Sequence, residues 1–123
     1  MSNAKARHLS RERLLQALYQ WQLSGDDITV IDRYFQEGDQ LHQADRGYFS
    51  ELLLQIHSKV DELDRLCAPF LERSMEYVDP VERAILMIGV YELCFRPELP
   101  YRVAINEGVE LAKEYGAEQG HRF

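Results

Sequence analysis

Apolar side chains recur along this chain every three to four positions, the period of an α-helix, rather than every second one as in a strand. Leu14, Leu15 and Leu18 begin one stripe, which Trp21 or Gln22 completes. This spacing predicts a helix from about Leu9 to Leu23. Ser24-Gly25 ends it, because glycine accepts the left-handed backbone that follows a helix. Ile28, Ile31, Tyr34 and Phe35 form the apolar face of a shorter helix that stops at Gly38-Asp39. A longer pattern opens near Asp45 and runs through Phe49, Leu52, Leu53, Ile56, Val60, Leu63 and Leu66. Pro69 interrupts it for want of an amide proton, and a break near His57-Ser58 leaves one helix or two open.

Asp79-Pro80-Val81-Glu82 is the clearest start signal. Asp79 is placed to accept from the free amides of a first turn, and Pro80 loses no hydrogen bond at the first helical position. Glu82 is spaced to reach back and complete a capping box. The helix continues through Ile85, Ile88, Tyr91 and Phe95, and Pro97 and Pro100 stop it. Gly89 costs ~1 kcal/mol of helix propensity in its middle, which predicts a close helix crossing there. A last helix spans about Val103 to Tyr115, with Val103, Ile105, Val109, Leu111 and Ala112 as its apolar positions and Gly116 as its stop. With no strand alternation, Asn-Gly hairpin or fixed repeat, the fold class is all-α, with about six to seven helices.

The chain has 123 residues, about one domain's worth, and its 46% hydrophobic and 28% charged residues are those of a globular protein. The longest uncharged apolar stretch, Ala84 to Tyr91, falls far short of the ~20 residues of a membrane span, and no signal peptide is visible. Met1-Ser2-Asn3-Ala4 reads as a cloning remnant. Cys67 and Cys94 lie on separate helical segments, and two reduced, buried thiols in a cytoplasm are expected.

A net charge of −7 argues against nucleic acid until its distribution is considered. Lys5, Arg7, Arg11 and Arg13 against Glu12 give the first thirteen residues +3, so the remaining 110 carry −10. A short basic arm on an acidic body is a polarised molecule.

Catalytic and metal signals are missing. His8, His42, His57 and His121 are scattered, and no metal-ligand spacing, glycine-rich phosphate loop or nucleophile elbow occurs. Glu107 with Glu110, and Asp61 with Asp64, sit at helical spacing and read as solvated faces rather than acid–base pairs. No catalytic residue, metal or cofactor is expected. Two binding signals remain. Arg7 and Arg11, four apart on one helical face beside Lys5 and His8, are spaced to grip successive phosphates; a solubilising helix start fits equally well. Basic charge is, however, misplaced at the positive end of a helix dipole, which favours a binding role. At the other end, Gly116 and Gly120 bracket a loop ending in His121-Arg122-Phe123, where an aromatic beside arginine could stack on an unpaired base or start a core helix.

Three stretches together resemble the NusB family of transcription antitermination factors: Gln16-Ala17-Leu18-Tyr19-Gln20-Trp21-Gln22; Val81-Glu82-Arg83-Ala84-Ile85-Leu86 with Tyr91-Glu92-Leu93; and Pro100-Tyr101-Arg102-Val103-Ala104-Ile105-Asn106-Glu107, continued by Glu110-Leu111-Ala112-Lys113 and Gly116-Ala117-Glu118. The last stretch is the most specific. The resemblance covers nearly the whole chain and implies two small helical bundles packed as one domain over residues 1–123.

It also implies a function. Such proteins pair with NusE, a small-subunit ribosomal protein, bind the boxA element of nascent RNA and help assemble an antitermination complex on RNA polymerase. A basic partner would supply positive surface that an acidic protein lacks. The family's arginine-rich start falls on Arg7, His8 and Arg11, with Lys5 beside them, although Leu9 stands where a further arginine is usual. The loop before the family's final helix falls on Gln119, Arg122 and Phe123 as further RNA contacts, with Gln119 at a usually acidic position. Tyr19 and Glu82 fall on NusE-docking positions, beside the plainer readings of core packing for Tyr19 and the capping box for Glu82. Members usually continue past the position of Phe123 with Val-Asn-Gly-Val-Leu-Asp and a closing helix. Without that helix the second bundle is expected to expose apolar surface, with lower stability or a homodimer as the result. Two alternatives are a protein-interaction module like the one appended to ribosomal RNA cytosine methyltransferases, and a homodimer that hides its RNA face until NusE competes.

Overall fold

The structure is a computed structural model that describes residues 3–116. Six α-helices and no strand occur among the described residues: α1 Asn3–Ser24, α2 Ile28–Glu37, α3 Arg46–Ser58, α4 Val60–Cys67, α5 Pro80–Phe95 and α6 Tyr101–Tyr115. Short 3₁₀ turns at Ala68–Phe70 and Met75–Tyr77 link α4 to α5. The chain divides into two compact units, Met1–Ser58 and Lys59–Phe123.

In the first unit α1, α2 and α3 pack on one another. Leu14 and Leu18 of α1 meet the requirement of the stripe and are fully buried, as are Leu52, Leu53 and Ile56 of α3. Phe35 and Phe49 join α2 to α3 with ring centroids 5.3 Å apart. Asp27 caps α2 by accepting from the Thr29 amide at 2.9 Å and the Thr29 hydroxyl at 2.6 Å. These bonds hold its carboxyl below the usual aspartate range. Ile28, Ile31 and Phe35 face inward, whereas Tyr34, expected on that face, is exposed and meets Phe35 edge-on. The break at His57-Ser58 makes two helices. Lys59 leaves helical geometry there, with φ −115° and ψ 16°, and the Ser58 hydroxyl donates back to the Gln55 carbonyl.

In the second unit α5 packs against α4 and α6. Asp79 accepts from the amides of Val81 and Glu82 at 3.0 and 3.3 Å, with Pro80 at the first helical position, as the start signal requires. The reciprocal half of the capping box is missing: the Glu82 carboxylate oxygen Oε1 is buried without a hydrogen-bond partner. Asp64 and Arg83 tie α4 to α5 at 2.8 Å. Met87, Ile88 and Tyr91 of α5, with Ala104 and Leu111 of α6, are buried.

Three expectations are corrected here. Gly89 makes no close crossing: a Cβ added there would meet nothing within 4 Å, because the residue opens onto a groove between α5 and α6. Val103, Ile105 and Val109 are exposed rather than buried: α6 presents Ala104 and Leu111 inward, and Ile105 and Val109 edge the open groove beside α5. Cys67 is buried, but Cys94 near the end of α5 is exposed. No helix among the described residues is long and apolar enough to cross a membrane.

Candidate nucleic-acid interface

The basic arm is helical throughout its described length. α1 begins at Asn3, six residues earlier than the apolar stripe predicts. Tertiary contacts supply what the pattern of residues 3–8 lacks. Asp45, just before α3, donates its amide to the Ala6 carbonyl at 3.2 Å and accepts from the Ser10 hydroxyl at 2.7 Å. Its carboxylate accepts from the Tyr48 amide through Oδ1 and lies 3.9 Å from the Arg7 Nε through Oδ2. Asp45 therefore starts α3 with its side chain and holds the arm beside it mainly through its backbone.

Arg7 and Arg11 do share a face, as their spacing requires, but it faces protein. Their guanidinium carbons lie 4.3 and 5.4 Å from the centroid of the Tyr48 ring, an arrangement in which a cation is attracted to the aromatic face. Arg11, expected to reach phosphate, is only 2% exposed, so its position is corrected to the packed side of the arm. Arg7 keeps about a third of its side chain exposed, and Lys5 is exposed. His8 is partly exposed, with Nε2 3.7 Å from the Glu12 carboxylate. Arg13 donates to the Gln40 carbonyl at 2.9 Å. The basic side chains offered outward are therefore Lys5, Arg7 and His8.

Sequence reasoning misses Asp45 and Tyr48, the residues that position Arg7. They lie more than thirty positions away along the chain, and nothing in their own neighbourhood marks them. It misses Gln43 as well. This residue adopts φ 65°, a left-handed backbone uncommon outside glycine, and shares a cleft of about 90 Å³ with Lys5. Gln119, Arg122 and Phe123 lie outside the described residues.

The two partner-docking candidates are on different units. Tyr19 on α1 is 39% exposed, which sets aside core packing as its whole role. Glu82, on the first turn of α5, lines a cavity of about 450 Å³ in the second unit. Burial and the neighbouring Asp79 carboxylate push its carboxyl above the usual glutamate range, and Arg73 opposes them.

An all-helical fold with a buttressed basic arm on one unit and an acidic cavity in the other defines a helical binding protein. The NusB family model matches residues 8–123, and the chain belongs to that family. Among its relatives, the transcription antitermination protein NusB of Nitrosococcus oceani is 50% identical over 123 residues, all of this chain and 81% of that protein. The protein of that name from Shewanella piezotolerans is 48% identical over 117 residues, 95% of this chain and 87% of its own length. That from Pectobacterium carotovorum is 46% identical over 118 residues, 96% of this chain and 85% of its own. These names describe a role in transcription, and the family is not one of enzymes.

Proposed function

We propose that this chain is a transcription antitermination factor that acts with NusE. The pair binds boxA RNA in nascent transcripts, ribosomal RNA operons among them, and helps assemble the antitermination complex on RNA polymerase in the cytoplasm. The observation that carries this reading is identity of 45–50% with proteins named for antitermination, over 95% or more of the chain. Residues 1–123 act in it as one NusB-like domain.

Lys5, Arg7 and His8 meet RNA phosphates, and Arg11 supports them from behind through Tyr48. Gln119, Arg122 and Phe123 add contacts to bases and backbone. Tyr19 and Glu82 dock NusE, whose basic surface offsets the −7 charge of this chain.

A second reading is an interaction module, monomeric or homodimeric, that does not bind RNA by itself. The engagement of Arg7, Arg11 and Arg13 with protein groups favours it over a free basic comb. Fluorescence anisotropy of labelled boxA-like RNA, titrated with the chain alone and with NusE, separates the two. Tight binding only with NusE supports the composite adaptor. No binding in either titration, with helicity intact, leaves the interaction module.

A further inference from the structure

The turn between α2 and α3 holds one residue in a costly backbone conformation. Gln43, at φ 65°, is the only non-glycine residue with a positive φ among the described residues. A Cβ makes that region unfavourable, and glycine would fill it at lower cost. The chain on both sides of it is pinned. Leu41 is fully buried, and the Ala44 amide donates to the Leu41 carbonyl at 3.0 Å. Residue 45 bonds through its backbone to Ala6 and Ser10 of α1. Between these anchors the Gln43 side chain is exposed, and no hydrogen bond ties it to another described residue. It shares its cleft of about 90 Å³ with the exposed Lys5 and the half-buried Ala6 and Leu9. Strain imposed by rigid surroundings concentrates at ligand sites. The cleft combines an ammonium, an apolar floor and an amide that both donates and accepts. A phosphate alone uses only the first of these, whereas a nucleotide with an unpaired base uses all three.

We propose that Gln43 is a specificity-determining residue of the RNA site: its amide reads the edge of one unpaired base that rests on Ala6 and Leu9, while Lys5 takes the adjoining phosphate. The inference rests on the reading of the arm as an RNA-binding surface and adds how that surface tells one sequence from another. Lys5 and Arg7 do not supply this, because phosphate contacts carry no sequence information. The pinned turn contributes by holding the amide in place before the RNA arrives, so that less freedom is lost on binding.

The test is fluorescence anisotropy of the NusE complex with boxA-like RNAs replaced one base at a time. It compares the wild type with Gln43→Ala, Gln43→Gly and Lys5→Ala, with thermal melting of each. At one position the wild type is expected to prefer one base by about fivefold or more, and both Gln43 variants to lose that preference with an unchanged salt slope. Gln43→Gly is expected to melt at or above the wild type, since glycine accepts the left-handed backbone, so its loss of preference is not a loss of folding. Lys5→Ala is expected to weaken all the RNAs alike, with a log–log salt slope shallower by about 1. If the wild type binds and the Gln43 variants rank the bases as it does at every position, Gln43 reads no base; the inference is overturned while the arm keeps its phosphate contacts. If the wild-type complex binds none of these RNAs, the RNA reading fails and this inference with it.

Discussion

The first unit buries what its pattern says it should bury, Tyr34 apart, and the second leaves more of its pattern open. In α1 and α3 the residues at helical spacing, Leu14, Leu18, Phe49, Leu52 and Ile56, are all closed to solvent. In the second unit Leu66, Leu93, Val103, Ile105 and Val109 recur with the same regularity yet stay exposed. Some of them edge apolar hollows of about 390 and 290 Å³, one beside Cys67 and Cys94 and one over Gly89 and Gly108. Periodicity reports which residues share a helix face. Whether that face is covered depends on what packs on it, and three helices packed on one another close a core that a central helix with two neighbours leaves partly open.

The sharpest break in that comparison is at Phe49. Phe49→Ala removes a fully buried ring from the junction of α2 and α3, and urea unfolding is expected to show a loss of about 3–5 kcal/mol. A loss under about 1 kcal/mol would mean that the first unit is no better closed than the second.

Within α6 the contrast can be drawn on one helix. Leu111→Ala, at a fully buried position, is expected to cost about 2–5 kcal/mol. Ile105→Ala, at a position 47% exposed, is expected to stay within about 0.5 kcal/mol of the wild type, because alanine's better helix propensity offsets the smaller apolar side chain. Equal losses at both positions would show that the exposed row of α6 is covered in solution.

A smaller effect on stability than at the buried positions is expected at Asp45. Asp45→Ala removes the acceptor of the Tyr48 amide and the carboxylate beside Arg7, at a cost of about 1 kcal/mol. Its more specific consequence is faster amide exchange near Arg7, which loses its carboxylate neighbour, while the backbone bonds of residue 45 to Ala6 and Ser10 remain. Unchanged exchange there would show that those backbone bonds hold the arm by themselves.

These contrasts also mark how much is legible in the sequence. Asp79-Pro80 sets the start of α5 because capping is local chemistry, read within four residues. The apolar stripe starts α1 only at Leu9, because the first turns are held by Asp45 and Tyr48, partners distant in sequence. The same distance conceals the inward orientation of Arg11: spacing puts it on one face with Arg7 without saying what that face meets. The sequence places Glu82 beside the cap, where it lies. That it leaves an oxygen unpaired in a cavity depends on Phe70, Arg73 and Tyr77, which no local pattern links to it.

The central claim is that the outer cations of a buttressed arm carry the RNA contact. Its most direct test is the salt dependence of boxA RNA binding by the NusE complex, wild type against Lys5→Ala/Arg7→Ala. The account predicts weaker binding and a log–log salt slope shallower by about 2, one for each phosphate no longer neutralised. An unchanged affinity and slope, with helicity preserved, would contradict it.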